Sequence, residues 1–198
     1  MLKSTIKYVQ PDDVMISSCI NKDRAAFKQL VTMYQQYAYN LAFKILLDEE
    51  NTKDVVQETF IKIWRHIGSY RKEILFTTWM YKIVTNLCYD KLKSIKRRNH
   101  VSIHNATEMG INLTEQPEYN AHSSENFEII KQIRRLSRGL TTKQRLVFIL
   151  RDLQGLSVKE VSEVLNMSDG AVKTNLYLAR MFIREKFYNA AKIGRIIR

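Results

Sequence analysis

Residues that interrupt helices are scarce in this chain. It contains 6 glycines and 2 prolines among 198 residues, far below the usual shares of about 7% and 5%. An all-β fold needs a turn about every ten residues, and glycine and proline supply many of those turns. The composition therefore argues against a β-sandwich or barrel and predicts an all-α protein.

Basic residues outnumber acidic ones by 32 to 20, which gives a formal net charge of +12. Such an excess favours a polyanionic partner, either nucleic acid or an acidic membrane surface. No apolar run approaches the roughly 20 residues of a membrane span, and the first residues lack the apolar segment of a secretory signal. We therefore expect a cytoplasmic protein that does not insert into a membrane.

The charge is divided into two basic blocks around an acidic segment. Residues 1–98 carry 17 basic and 10 acidic side chains, and residues 128–198 carry 15 and 6. Residues 99–127 carry no Lys or Arg and four acids, and they lack helical periodicity. We predict two small helical domains, 10–98 and 128–190, joined by a flexible acidic linker. This linker is either a plain solvated tether or a segment that avoids or imitates nucleic acid.

The third predicted helix, which we expect to begin at Asn51 or Thr52, has an unusual polar side. Two carboxylates, an amide and one apolar residue recur there at spacings of 3, 1 and 3: Asp54, Gln57, Glu58 and Ile61. Residues at these spacings share one face of a helix. The face is either an ordinary solvated surface or a docking surface for a basic protein partner.

The fourth predicted helix begins at Phe76 and combines an aromatic residue with cations on one face. The residues on that face are Trp79, Lys82, Asn86 and Lys93. Such a face suits base stacking and phosphate contact. Its end is more basic still and includes Arg97. The five cations among residues 91–98 also offset the helix dipole, but their number exceeds what the dipole requires.

A helix-turn-helix is predicted in the second domain. Ser157 and Glu160 have the spacing of a capping box at the start of a short helix. Asn166 can adopt the left-handed conformation of a tight turn, and Ser168 can cap the following helix. A short helix, a four-residue turn and a second helix are typical of a DNA-binding helix-turn-helix, although many helical hairpins that do not bind DNA share this pattern.

Three stretches resemble the signature stretches of extracytoplasmic-function sigma factors, the two-domain bacterial transcription initiation factors. They are DVVQETFIKIW at 54–64, FTTWMYKIVTNLCYDKL at 76–92, and LTTKQRLVFILRDLQGLSVKEVSEVLNMSDGAVKTNLYLARMFIREKF at 140–187. The resemblance runs in the family's order and spacing over nearly the whole chain. It implies a region 2 helical bundle and a region 4 helix-turn-helix on either side of a flexible linker.

The resemblance also implies partners and roles. The chain would bind bacterial core RNA polymerase through the β′ clamp helices and the β flap, recognise promoter DNA, and respond to an anti-sigma factor. The implied clamp-helix contacts are Asp54, Gln57, Glu58 and Ile61. The residues implied at the −10 element, where the duplex opens, are Phe76, Trp79, Lys82, Asn86, Lys93 and Arg97. Those implied at the −35 element are Ser168, Lys173, Thr174, Asn175, Tyr177 and Arg180.

Part of the recognition helix departs from the family pattern. Asn175, Leu178, Met181 and Phe182 stand where the family often has Arg or Lys. We expect Leu178, Met181 and Phe182 to lie in the core or to form a hydrophobic face for another protein.

Two other classes of protein share some of these features. A one-domain DNA-binding regulator would have the helix-turn-helix, but its other half would need a ligand or receiver domain, and no βαβ pattern is present. A DNA-processing enzyme would need a nucleophile and activating groups. The histidines are scattered, and His100 and His104 lack a carboxylate or cysteine constellation. Two cysteines form no metal motif. We therefore expect no enzymatic activity, no metal and no cofactor.

Overall fold

The computed structural model describes residues 10–108 and 139–196. Within those ranges the chain forms seven α-helices and no strand, which confirms the predicted all-α class. The helices are α1 (Asp13–Ile20), α2 (Arg24–Leu46), α3 (Glu49–His66), α4 (Phe76–Glu108), α5 (Thr142–Phe148), α6 (Val158–Leu165) and α7 (Asp169–Ile196). A 3₁₀ turn (Ile67–Ser69) follows α3, and a π-helical turn (Ile149–Leu153) follows α5.

Side-chain caps define where the first helices begin. The Asp23 carboxylate accepts hydrogen bonds from the N–H groups of Ala25 and Ala26 at the start of α2. Such a cap contributes about 1 kcal/mol. Helix α3 begins at Glu49, earlier than predicted, because Asp48 accepts from the Asn51 N–H at 2.8 Å and is the N-cap.

The first four helices enclose the N-terminal core. Helix α2 packs against both α3 and α4, which also contact each other. The largest buried side chains of this core are Leu30, Tyr34, Leu41, Ile45, Ile63, Ile67, Phe76, Met80, Tyr81 and Val84. Each fully buried aliphatic side chain contributes about 1.5–3 kcal/mol relative to an exposed one. This bundle is the scaffold that presents the exposed sides of α3 and α4.

Helix α4 continues past the predicted end of the first domain at residue 98. It reaches Glu108, so residues 99–108 of the predicted linker are helical. The physical reason is that this stretch contains neither glycine nor proline, and the first helix breaker is Gly110. The remainder of the predicted linker, through residue 127, and residues 128–138 of the predicted second domain lie outside the described residues.

The C-terminal helices form a smaller core beneath the predicted helix-turn-helix. Helix α7 packs along α5 and against α6. The side chains buried in this core include Leu146, Val147, Ile149, Leu150, Leu156, Val161, Val164, Val172 and Leu176. This packing fixes the two helices of the motif relative to α5.

The N-terminal and C-terminal cores are in contact. We call α1–α4 the N-terminal unit and α5–α7 the C-terminal unit. Helix α4 lies against α6, and the buried apolar residues of the two units form one continuous cluster. The Thr78 hydroxyl of α4 donates to the Glu160 carboxylate of α6 at 3.3 Å. The Lys44 ammonium donates to the Leu153 carbonyl at 3.4 Å. The described residues therefore include a specific interface between the two units.

Candidate protein and nucleic-acid interfaces

Asp54, Gln57, Glu58 and Ile61, which we call the α3 patch, lie together on one side of that helix. Asp54, Gln57 and Ile61 are exposed, and Glu58 is half-buried. The Asp54 carboxylate pairs with the Lys91 ammonium of α4 at 3.0 Å. An exposed pair of this kind contributes at most about 1 kcal/mol, so a partner can replace it. The patch is acidic and accessible, as a docking surface requires.

A groove of about 860 Å³ lies beside this patch, between α2 and α3. Its lining includes Gln57 and Ile61, so patch and groove are continuous. Besides Ile61, the apolar part of the lining includes Phe27, Val31, Val56, Phe60 and Trp64. The helical spacing of these five residues predicts core positions, but four of them are only half-buried and Phe60 alone is buried. The sequence therefore did not predict the groove, because residues that line a groove beside the core have the same helical spacing as core residues.

Trp64 is held firmly at one end of the groove. Its ring meets the Phe27 ring edge-on, with centroids 4.7 Å apart. The Lys22 ammonium lies 5.0 Å from the Trp64 ring centroid and donates to the Trp64 carbonyl at 2.5 Å. An ammonium over an indole face is attracted by the negative ring face. These contacts fix the indole while leaving part of its surface open to a partner.

The predicted nucleic-acid face of α4 is exposed along its length. Lys82, Asn86, Lys93 and Arg97 all lie on the surface. Sequence reasoning missed Tyr89, which is 49% exposed. It lies three residues after Asn86 and four before Lys93, spacings that place it on the same face. We call Lys82, Asn86, Tyr89, Lys93 and Arg97 the α4 line, in which an amide and an aromatic ring lie between one cation and two others.

Trp79 lies at the start of the α4 line and is half-buried. Its ring centroid is 5.5 Å from that of Tyr70 and 5.7 Å from that of Phe76. Tyr70 donates its hydroxyl proton to the Ile74 carbonyl at 2.9 Å, and burial raises the pKa of that hydroxyl. The Trp79 indole therefore packs against Tyr70 of the loop before α4 and against Phe76 of α4 itself.

Phe76 does not lie where the resemblance implies. It is fully buried, so it has no surface with which to contact DNA in this structure. Its ring packs against Tyr34 at 4.6 Å between centroids, and its N–H donates to the Gln10 side chain at 2.9 Å. The reason is that Phe76 lies on the side of α4 that faces the helical bundle. Its ring therefore packs against the Trp79 ring from the side of the core.

The predicted helix-turn-helix is formed by α6 and α7. Ser157 and Glu160 make both hydrogen bonds of the predicted capping box. Asn166 takes the left-handed conformation at φ 50° and ends α6. Ser168 then accepts from the Ala171 N–H at 3.2 Å at the start of α7. Each local signal in the sequence therefore forms the contact expected of it.

The six predicted recognition residues differ in their availability. Five of them are exposed and Asn175 is half-buried, while the exposed Arg180 is held by a contact to another element. The exposed ones that carry no side-chain contact to another helix are Ser168, Lys173, Thr174 and Tyr177. Asn175 is half-buried and donates to the Ala171 carbonyl at 2.8 Å. Its amide is therefore partly committed within α7.

Arg180 is paired with a carboxylate rather than free for a phosphate. Its Nε and Nη2 atoms donate to the two Asp152 oxygens at 2.8 and 2.5 Å. The hydrogen bond to Asp152 raises the pKa of the guanidinium. The implied contact of Arg180 with the −35 element therefore competes with Asp152, which lies in the π-helical turn.

The three apolar residues that depart from the family pattern lie at or near the surface. Leu178 is 37% exposed and Met181 is 50% exposed. Phe182 is half-buried beside Gly139, and the Lys186 ammonium lies 4.8 Å from its ring centroid. Leu178 and Met181 are therefore not core residues, and they form an exposed hydrophobic face instead.

Two other kinds of site are absent from the described residues. No helix there is both long and apolar enough to span a bilayer. No group of three or more His, Cys, Asp or Glu side chains in the same ranges is arranged to hold a metal ion.

Family comparisons match both halves of the chain. Residues 30–98 match Sigma-70 region 2, and residues 130–183 match Sigma-70 region 4. The ECF RNA polymerase sigma factor SigW of Bacillus subtilis is 28% identical over 190 residues, which cover 94% of this chain and 96% of that protein. The ECF RNA polymerase sigma-E factor of Haemophilus influenzae is 31% identical over 183 residues, which cover 88% and 94%.

Two solved structures share the fold. CnrH, solved in complex with the cytosolic domain of CnrY, aligns with a TM-score of 0.65 and 19% identity, covering 89% of this chain and 96% of that one. The sigma factor RpoE of Bartonella quintana, solved with the anti-sigma factor NepR, aligns with a TM-score of 0.61 and 20% identity, covering 80% and 94%. The matched regions coincide with the two units that carry the exposed surfaces described above. The chain belongs to the extracytoplasmic-function RNA polymerase sigma factors, which bind core polymerase and direct promoter-specific transcription initiation.

Proposed function

We propose that three surfaces of this sigma factor divide its work. The α3 patch and groove bind the β′ clamp helices of core polymerase. The α4 line and Trp79 bind and open the −10 element. The exposed N-terminal half of α7 reads the −35 element. In this reading the protein acts in the cytoplasm and supplies binding and DNA opening, while the polymerase supplies the catalysis.

Charge and shape support the polymerase assignment. Asp54 and Glu58 offer carboxylates to a basic partner, and the apolar groove beside them offers buried area. Charge alone gives mainly orientation and association rate, whereas a central apolar pocket supplies most of the affinity of an interface. The combination suits a helical partner whose cations face the patch and whose apolar side chain enters the groove beside Ile61.

The α4 line supports the assignment to the −10 element, and this observation carries the proposal. Cations at Lys82, Lys93 and Arg97 follow one another along the helix, as contacts to a phosphate backbone require. Between them, Tyr89 offers an exposed ring for an unstacked base. Stacking of a base on an aromatic ring contributes about 1–3 kcal/mol, which offsets the few kcal/mol that unstacking a base step costs. Trp79 supplies a second ring that is already rigid.

The second unit supports recognition of duplex DNA. In a helix-turn-helix, the N-terminal residues of the second helix contact base edges. Lys173, Thr174 and Tyr177 are exposed in that part of α7. Four residues on from Tyr177, Met181 is exposed with Leu178 beside it, and we assign this apolar surface to the β flap. One helix would then serve DNA with its first turns and polymerase with its later ones.

An anti-sigma factor is the remaining partner that we propose. CnrH was solved with the cytosolic domain of CnrY, and the Bartonella RpoE with the anti-sigma factor NepR. This chain shares their fold, and its groove and apolar α7 surface could receive such a partner. Co-purification of the chain with a protein that blocks its binding to core polymerase would support the assignment.

Transcription with purified core polymerase tests the function directly. The protein is mixed with core enzyme and genomic DNA fragments, and the transcripts are sequenced to map their starts. We expect discrete starts preceded by two shared sequence elements at −10 and −35. A holoenzyme carrying Lys173→Ala and Tyr177→Ala should lose the starts that depend most on the −35 element. Starts without shared upstream elements would contradict the proposal.

A further inference from the structure

The loop at 70–75, which leads into α4, is closed by its own hydrogen bonds. The Tyr70 hydroxyl donates to the Ile74 carbonyl at 2.9 Å, and the Ile74 N–H donates to the Arg71 carbonyl at 3.3 Å. The Tyr70 ring also packs against the Trp79 ring, with 5.5 Å between the centroids. The loop therefore has a defined shape, and one side of it adjoins the Trp79 indole.

Two side chains at the N-terminal end of α1 hold this loop from outside. The Asp13 carboxylate pairs with the Lys72 ammonium at 2.8 Å. The Gln10 side-chain oxygen accepts from the Phe76 N–H at 2.9 Å, at the point where the loop enters α4. Phe76 is the first residue of α4, and the first N–H groups of a helix have no acceptor within that helix. Gln10 therefore supplies the acceptor that the helix itself lacks.

Helix α1 is a firm base for these two contacts. Its Ile16 and Cys19 side chains are buried in the N-terminal core. The Asp12 carboxylate caps the helix by accepting from the Met15 N–H at 2.7 Å. The helix also packs against the 3₁₀ turn that precedes the loop. Because α1 is fixed in this way, its contacts to the loop and to the start of α4 fix where the loop lies.

The position of the loop decides what surrounds a base that stacks on Trp79. Such a base has one face covered by the indole, and its edges remain open to neighbouring groups. Arg71, Lys72 and Glu73 of the adjoining loop are exposed. Base edges carry the sequence information that phosphates lack. A shift of the loop relative to Trp79 would therefore change which base is accepted there.

We propose that Gln10 and Asp13 are positioning residues for recognition of the −10 element. They hold the loop at 70–75 against Trp79, and this placement sets which base is accepted at the ring. Both residues act through the loop and make no contact with the base. The inference rests on the function proposed above, because the loop has a base to select only if Trp79 contacts the −10 element.

Selectivity along the −10 element tests the proposal. The element is taken from the mapped transcripts, and single-stranded DNAs are made in which each of its positions is replaced in turn. Competition anisotropy with the holoenzyme then gives, for every position, the ratio of the affinity for the natural base to the affinity for the replacement. This ratio is insensitive to the net charge of a variant, because the phosphate contacts are the same for every strand.

The variants differ in what they remove. Gln10→Ala removes the acceptor, so we expect the ratio to fall about fivefold, equivalent to about 1 kcal/mol, at one or two adjacent positions only. Gln10→Glu keeps a side-chain oxygen of the same reach and should retain the natural ratio. Asp13→Asn removes one charge of an exposed ion pair, so a fall of about twofold is expected at the same positions. Ser17→Ala, at an exposed position of α1, is the matched control and should change no ratio.

Amide hydrogen exchange in the free protein reports the contact itself. The Phe76 N–H should exchange about fivefold faster in Gln10→Ala than in the natural protein, because its acceptor is gone. It should exchange at the natural rate in Gln10→Glu. A purely structural role for Gln10 would also speed this exchange, but it would lower the affinity equally for every strand.

The two measurements separate the possible failures. Unchanged ratios in Gln10→Ala, or an equal fall at every position, would overturn the proposal. Equal losses in Gln10→Ala and Gln10→Glu, or an unchanged Phe76 exchange rate in Gln10→Ala, would overturn it as well. A natural holoenzyme that discriminates at no position would instead overturn the proposed function, and faster Phe76 exchange in Gln10→Ala would still show that Gln10 holds the loop.

Discussion

Arg180 of α7 and Asp152 of the π-helical turn form a two-point ion pair, with N–O distances of 2.8 and 2.5 Å. Planar guanidinium and carboxylate groups that meet in this way fix each other's orientation. The pair ties the recognition helix to the turn that precedes α6. It therefore helps to hold α7 against the π-helical turn.

Removal of the Asp152 carboxylate tests whether this pair positions α7 for DNA. We expect Asp152→Ala to lower the free energy of unfolding by about 1 kcal/mol. We also expect the holoenzyme to bind −35 DNA more weakly, although loss of an acid should by itself favour binding to a polyanion. Glu163→Ala, which removes an exposed acid of α6, is the control. Tighter DNA binding by Asp152→Ala, measured by anisotropy, would show that Asp152 only neutralises Arg180.

Charge reversal in the α3 patch should prevent binding to core polymerase. The double variant Asp54→Lys with Glu58→Lys places two cations where the proposed partner is basic. The helical content should stay unchanged, since neither side chain is buried in the core and surface substitutions usually alter stability by no more than about 0.5 kcal/mol. Glu50→Lys, on an exposed position of the same helix, should bind normally. Pull-down of core polymerase by the double variant at natural strength would refute the assignment.

Loss of the Trp79 ring should separate DNA opening from DNA binding. We expect Trp79→Ala to form closed complexes but to give fewer permanganate-reactive thymines near the start site, because the rigid stacking surface is gone. Trp79→Phe should restore much of the reactivity. Unchanged opening in Trp79→Ala would move the role of wedge to the loop at 70–75.

Replacement of Tyr89 tests the aromatic position on the α4 line. Tyr89→Ala should reduce the affinity of the holoenzyme for single-stranded −10 DNA by about 5- to 150-fold, as loss of 1–3 kcal/mol of stacking implies. Tyr89→Phe keeps the ring and should bind almost normally. The comparison is made by competition with unlabelled strands. Equal losses in both variants would indicate a hydrogen bond from the hydroxyl instead of stacking.

The Cys88 thiol should be nearly inert while the two units remain together. Burial raises its pKa to about 12, so at pH 8 the thiolate fraction is about a thousandfold below that of a thiol with a pKa near 9. Because the pKa is raised, reactivity should increase with pH up to about 12. Alkylation followed by mass spectrometry measures the rate. Rapid modification of the folded protein at pH 8 would contradict this burial.

The sequence predicts features that depend on neighbours in the chain. The Ser157–Glu160 capping box and the left-handed Asn166 form as expected, because each depends on atoms within a few residues. By contrast, the Arg180–Asp152 pair joins residues 28 positions apart. No local pattern marks such a partner.

Helical spacing also fails to predict burial where buried and partly exposed residues have the same periodicity. Phe76 and Trp79 stand three residues apart in an aromatic cluster, yet the first is fully buried and the second is partly open. Trp64 has the spacing of a core residue but lines the groove. The depth of a side chain depends on how far the neighbouring helices extend, and this is decided by tertiary packing.

Helix α4 serves three neighbours at once. Phe76 and Val84 point into the N-terminal core, Thr78 and Cys88 face the C-terminal unit, and Lys82 begins the exposed line. In a saturation mutagenesis screen, most surface helices have a side on which nearly every substitution is tolerated. This helix should have no such side between its first turn and Lys93, and its tolerance profile should lack the usual 3.6-residue rhythm.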